Sequence, residues 1–123
     1  MTPEKRREYA RKWMKKRVES DIIFRIHKTL RCRMNHYFRG QKPRRTRDLV
    51  GTDFEFIKKY IENQFTKGMT WDNYGKWHVD HIIPISSAKT LEEIIPLWHY
   101  TNLQPLWAKE NLKKGKKIIK NRP

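Results

Sequence analysis

The sequence predicts an α+β fold in which basic helices come first and a strand–loop–strand–helix unit follows. Three observations carry this. Large apolar residues recur every three or four positions through the first half, as on one face of a helix. Two short runs in the second half, "WHVDHIIP" at 77–84 and "NLQPLW" at 102–107, read as strands between turn signals. Charge follows the same division. Residues 1–50 hold 17 Lys/Arg against 5 Asp/Glu, residues 51–106 hold 5 against 7, and residues 107–123 hold 7 against 1.

The elements follow in order. Residues 3–19 form a helix with Thr2 as cap and Pro3 at its first position. Its apolar stripe is thin (Tyr9, Trp13 and Val18), so it reads as an arm. Residues 21–39 form a second helix whose apolar face is Ile23, Ile26, Leu30, Met34 and Tyr37. Asp21 is its N-terminal acid and Gly40 its exit. His27 and His36 fall among arginines and are expected to face solvent or a partner. Arg44, Arg45 and Arg47 then read as a basic loop. Residues 53–66 form a third helix, with Thr52 and Glu55 as a capping box and Phe54, Ile57, Ile61 and Phe65 on one face. A loop with Gly68 and Gly75 leads into the first strand, which ends by Pro84. Thr90 and Glu93 cap a short helix, "NLQPLW" is the second strand, and "AKENLKKGKK" is a short basic helix. The expected domains are a basic helical arm at 1–48 and a second domain at 49–123.

Composition narrows the function. Of 123 residues, 37% are hydrophobic and 34% charged, so the core is modest and leans on its aromatic residues. The single cysteine, Cys32, excludes an internal disulfide and fits a reducing compartment such as the cytoplasm. No apolar run approaches the roughly 20 residues needed to span a bilayer. A net charge of +16 opposes compaction and points to a polyanion, with a nucleic-acid backbone the leading partner. A membrane surface fits less well, because few large apolar residues accompany the first helix. The tryptophans read as core, except Trp13 in the basic arm, which suits stacking on unpaired bases.

Phosphodiester hydrolysis needs a base for water and positive charge at the phosphate. Histidine serves as the base near neutral pH. A hard divalent cation takes oxygen ligands from a carboxylate, an amide and water. Asp80, His81 and Asn111 supply these types, and Asn102 lies at the mouth of the second strand. The alternative is a structural polar pair, Asp80 and His81, in a half-buried strand. His78 shares a strand side with Asp80 and would touch phosphate or metal, or cover the core. His99 reads as structural.

"WHVDHIIP" followed by "TNLQPLWAKENLKKGKK" resembles the HNH endonucleases of the ββα-metal (His-Me finger) class, and the wider run is similar to a subgroup found largely among phage-encoded proteins. The resemblance covers about residues 49–117 and implies a C-terminal ββα-metal finger that cuts DNA. It implies that His81 is the general base and that Asn102 fixes the loop holding it. It implies that Asp80 and Asn111 bind one magnesium or manganese ion. Lys109, Lys113, Lys114 and Lys116 would face DNA phosphates, as would Arg44, Arg45 and Arg47 of the basic loop. Many members carry a structural zinc on two Cys-x-x-Cys pairs. Trp107 and Glu110 stand at one pair here, so no such zinc is expected, and tryptophan packing would hold the finger. One finger would nick one strand, and a double-strand break would need a homodimer or two nicks. The expected location is the cytoplasm, the host's for a phage-encoded chain. A DNA-binding module that does not cut, and an RNA-cleaving nuclease, are the alternatives.

Adjacent strand residues point to opposite faces, yet Asp80 and His81 are to serve one site. A bend at the strand end, near Pro84, is the expected resolution.

Overall fold

The computed structural model of the chain describes residues 1–121. The chain forms two compact units, the first running from Met1 to Lys42 and the second from Pro43 onward. The division falls six residues before the boundary expected from sequence. Arg44, Arg45 and Arg47 therefore belong to the second unit.

The first unit is a pair of helices, α1 (Pro3–Ser20) and α2 (Ile22–Phe38). Thr2 caps α1 by accepting from the Lys5 N–H at 3.2 Å, and Pro3 needs no partner for the N–H it lacks. Asp21 makes the corner. Its N–H closes α1 on the Arg17 carbonyl, and its carboxylate caps α2 through the Phe24 N–H at 3.1 Å. The α1 surface is almost wholly exposed, as its thin apolar stripe predicts. Trp13 remains 48% exposed, and the Arg17 guanidinium lies over both its ring and that of Phe24. In α2 the buried residues are Ile26, Leu30 and Met34, one helical stripe. Tyr37, expected on that face, is exposed. The left-handed exit residue is Arg39, at φ 52°, with Gly40 following at φ 79°.

The second unit opens with a helix not expected from sequence, α3 (Thr46–Val50), inside the supposed basic loop. Thr46, Leu49 and Val50 are buried while Arg44, Arg45 and Arg47 stay exposed. Gly51 ends α3 at φ 81°, and a Cβ there would lie 2.6 Å from the His99 ring, so both conformation and space demand glycine. α4 (Phe54–Glu62) is capped by Asp53, which accepts from the Phe56 N–H at 2.8 Å. This replaces the expected Thr52–Glu55 box. The helix stops at Glu62, freeing Phe65 to join an aromatic cluster. Its ring lies 5.2 Å from Trp71 and 5.1 Å from Trp77, and Tyr74 stacks on Trp77 at 4.6 Å. The Trp77 indole N–H donates to the Thr70 carbonyl and Asn73 Oδ1, both at 2.9 Å. A ring buried this way removes on the order of 200 Å² from water, about 5 kcal/mol at 25 cal/mol/Å².

Strands β1 (Trp77–His81) and β2 (Leu103–Trp107) form a two-stranded antiparallel sheet. Their register pairs Trp77 with Trp107, His78 with Leu106, Asp80 with Gln104 and His81 with Leu103. Between them lie α5 (Leu91–Leu97), capped by Thr90, and a 3-10 turn at Tyr100–Asn102. α6 (Ala108–Lys114) follows β2 directly and packs on both strands. The fold is thus mixed helix with a small antiparallel sheet, α+β as expected. Among the described residues, no helix is long and apolar enough to cross a membrane.

Candidate functional site

β1 sends its residues to two sides. On one side, Asp80 meets its cross-strand partner Gln104 and the last turn of α6. Strand residues two apart and helix residues three apart each share a face, so His78 and Asp80 stand opposite Asn111 and Lys114. His78 and Asn111 line one open cavity of about 330 Å³, together with Ala108 and Leu112. Asp80 goes to Lys114.

The Lys114 ammonium lies 3.0 Å from Asp80 Oδ2 and 3.3 Å from Oδ1, and it donates to the His81 carbonyl at 2.5 Å. Lys114 is 2% exposed. This corrects the expectation that it faces phosphate: its charge is spent inside the protein. Lys109, Lys113 and Lys116 are exposed. The Gln104 amide N–H₂ donates to Asp80 Oδ2 at 2.9 Å and to the Ile119 carbonyl at 2.6 Å. Its carbonyl accepts the Asn121 N–H at 2.7 Å. Asn121 in turn donates to the carbonyls of Pro105 at 2.7 Å and Gln64 at 3.2 Å. The tail, which in sequence looks like basic decoration, is stitched onto β2.

On the other side of β1, the His81 ring stands edge-on to Trp98, with centroids 4.7 Å apart and planes at 86°. Asp80 and His81 thus face different neighbours. The strand stays paired through His81 and Leu103, so the expected bend does not fall between carboxylate and imidazole.

Asn102 is the anchor of the loop. Its Oδ1 accepts from the Ile83 N–H at 2.9 Å, and its amide donates to the Ile83 carbonyl at 3.0 Å and the Leu97 carbonyl at 2.9 Å. Its own carbonyl accepts from the Ile82 N–H at 2.8 Å. The chain leaving His81 is held from both sides. His99 is structural: its Nδ1 accepts from the Thr101 N–H at 3.3 Å, and its ring covers Gly51.

Asp80 and Asn111 have the oxygen chemistry of a hard-cation site, but the arrangement does not fit a divalent ion as it stands. Both Asp80 oxygens are already engaged by an ammonium, and one of them by an amide as well. Among the described residues, no three His, Cys, Asp or Glu side chains gather as a metal set. Sequence reasoning does not find Gln104 or Asn121, and it names Trp98 only among the tryptophans that pack the finger, not as the partner of His81. For the inward turn of Lys114, the signal available in the sequence was its spacing of three from Asn111.

Two curated relatives, both uncharacterized proteins of Acanthamoeba polyphaga mimivirus, are similar to this chain. One is 36% identical over 109 residues and the other 35% over 101 residues. The alignments cover 85% and 80% of this chain but 48% and 45% of the relatives. The chain therefore spans about half the length of the curated relatives it matches. No family model matches the chain, and no solved structure matches it.

Proposed function

We propose that the chain is a DNA endonuclease of the HNH, ββα-metal type, hydrolysing one phosphodiester bond per site. The observation that carries this reading is the Asn102 clamp on Ile83, two residues beyond His81, within a strand–loop–strand–helix unit. A loop anchored at both backbone groups gives a histidine a fixed position, which a general base needs. The charge supports the reading too: Arg44, Arg45, Arg47, Lys109, Lys113 and Lys116 are exposed, and the net charge is +16.

In the reaction, His81 accepts a proton from water as the water oxygen bonds to phosphorus. The bond from phosphorus to the leaving sugar oxygen breaks, and that oxygen takes a proton from solvent. Trp98 fixes the imidazole plane, and Asn102 fixes the backbone that carries it.

The second reading is a DNA-binding module that does not cut. The buried Lys114–Asp80 pair favours it, because the carboxylate meant for a metal is already neutralised. Supercoiled plasmid incubated with wild type and His81→Ala, in magnesium, manganese or chelator, separates the two. Relaxed circles made by wild type and not by the variant support the nuclease. Binding without cleavage by either supports the module.

A further inference from the structure

We propose that Trp13 is the stacking wall of a site for an unpaired base of single-stranded DNA, with the Arg17 guanidinium flanking the base and Lys16 meeting the adjoining phosphate. The inference deepens the DNA reading above by naming the form of DNA that is bound. It needs no cleavage, because Trp13, Lys16 and Arg17 all lie on α1, in the first unit.

An exposed apolar residue by itself says little. Here the Trp13 ring is one wall of an open cavity of about 330 Å³ whose other walls are Lys16, Arg17 and Ser20. These follow Trp13 by three, four and seven residues, so all four share one face of α1. All four are exposed. The Arg17 guanidinium lies 4.2 Å from the ring centroid of Phe24 and 5.4 Å from that of Trp13. Phe24 thus holds Arg17 the more closely, and the indole keeps about half its surface open to another flat group. A flat ring beside a guanidinium plane and an ammonium matches a nucleotide, whose base stacks on planes and whose phosphate seeks a cation. The surrounding charge suits a polyanion, with eight Lys/Arg against three Glu in residues 1–20. A duplex hides its base faces in the stack, so only an unpaired strand can use the ring. Phosphate contacts alone grip both forms without reading them.

The test uses the full chain in chelator, so that nothing is cut. A labelled DNA strand, its blunt duplex and an RNA strand of the same sequence are titrated by fluorescence anisotropy. Trp13→Ala is expected to weaken binding of the DNA strand by about 5- to 150-fold and to leave duplex binding unchanged. Trp13→Phe should restore most of the loss. The log–log salt slope for the strand should be unaltered in Trp13→Ala, since a stack neutralises no phosphate, and should flatten by about 0.7 in Lys16→Gln. In wild type carrying 5-fluorotryptophan, the strand should shift the Trp13 fluorine resonance, assigned as the one missing from Trp13→Phe. Equal weakening of strand and duplex, no weakening, or an unmoved Trp13 resonance at saturation overturns the proposal. RNA bound more tightly than DNA overturns DNA as the ligand. Plasmid nicking by wild type, measured separately with magnesium or manganese, keeps the two readings apart. Nicking without a Trp13 effect on strand binding defeats the site and leaves the nuclease, whereas the Trp13 effect without nicking defeats the nuclease and leaves the site.

Discussion

The side chain of Asn102 pairs with both backbone groups of Ile83, accepting its N–H at 2.9 Å and donating to its carbonyl at 3.0 Å. One side chain thus does for the loop what a neighbouring strand would do. Asn102→Ala strands those two groups and the Leu97 carbonyl together. The expected loss is about 2–4 kcal/mol of unfolding free energy. Urea denaturation of wild type and variant measures it. Asn102→Asp keeps the acceptor but sets a buried carboxylate oxygen against the Ile83 and Leu97 carbonyls, so it should cost at least as much as the alanine variant.

His81→Ala should leave the fold intact and lower plasmid cleavage by about 10²- to 10⁴-fold. Circular dichroism checks the fold and gel analysis of nicked circles checks the rate. Equal rates would remove His81 from the mechanism.

Asp80→Asn leaves the Lys114 ammonium buried without its countercharge. Breaking such a pair from one side costs about 3–5 kcal/mol. Thermal and chemical unfolding report it. A loss below about 1 kcal/mol, the value of an exposed pair, would mean the ammonium already lies in water.

Removing residues 1–20 deletes eight Lys/Arg and three Glu. The log–log salt dependence of DNA binding should flatten by about 0.9 for each phosphate that the shortened chain no longer neutralises. Fluorescence anisotropy at several salt concentrations gives the slope. An unchanged slope would take α1 out of the proposed DNA interface.

The His27 imidazole is held below its ordinary value of 6.5, first by burial and then by the charges of Arg31 and Lys42. The folded state therefore prefers the neutral ring. The stability this contributes is complete above the unfolded value and is lost as pH falls below 6.5 toward the folded value. A proton NMR titration should give a His27 midpoint below 6.5, and His27→Gln should remove this part of the acid sensitivity.

The helices were legible where apolar spacing was regular. Ile26, Leu30 and Met34 in α2, and Ile57 and Ile61 in α4, lie buried as their spacing predicts. α3 was hidden because five residues are too few to display a period, and arginines masked Leu49 and Val50. The anchoring of Asn102 was foreseen through the motif. The inward turn of Lys114 was not, because a lysine in a basic run looks like its neighbours. Only the strand beside α6 makes it different, by offering a carboxylate at the right height. The tail was misjudged for a related reason: Asn121 follows a charged stretch, yet it satisfies groups on β2 and after α4.

That tail has a consequence for how the protein is made. Gln104, which holds Asp80, finds its remaining partners at Ile119 and Asn121. A nascent chain cannot finish this hydrogen-bond set until residue 121 has left the ribosome. The sheet and α6 emerge earlier, and the Gln104 amide keeps groups without these partners until the segment arrives. The site is therefore complete only once this segment has been made, and a chain that lacks it lacks the finished hydrogen-bond set.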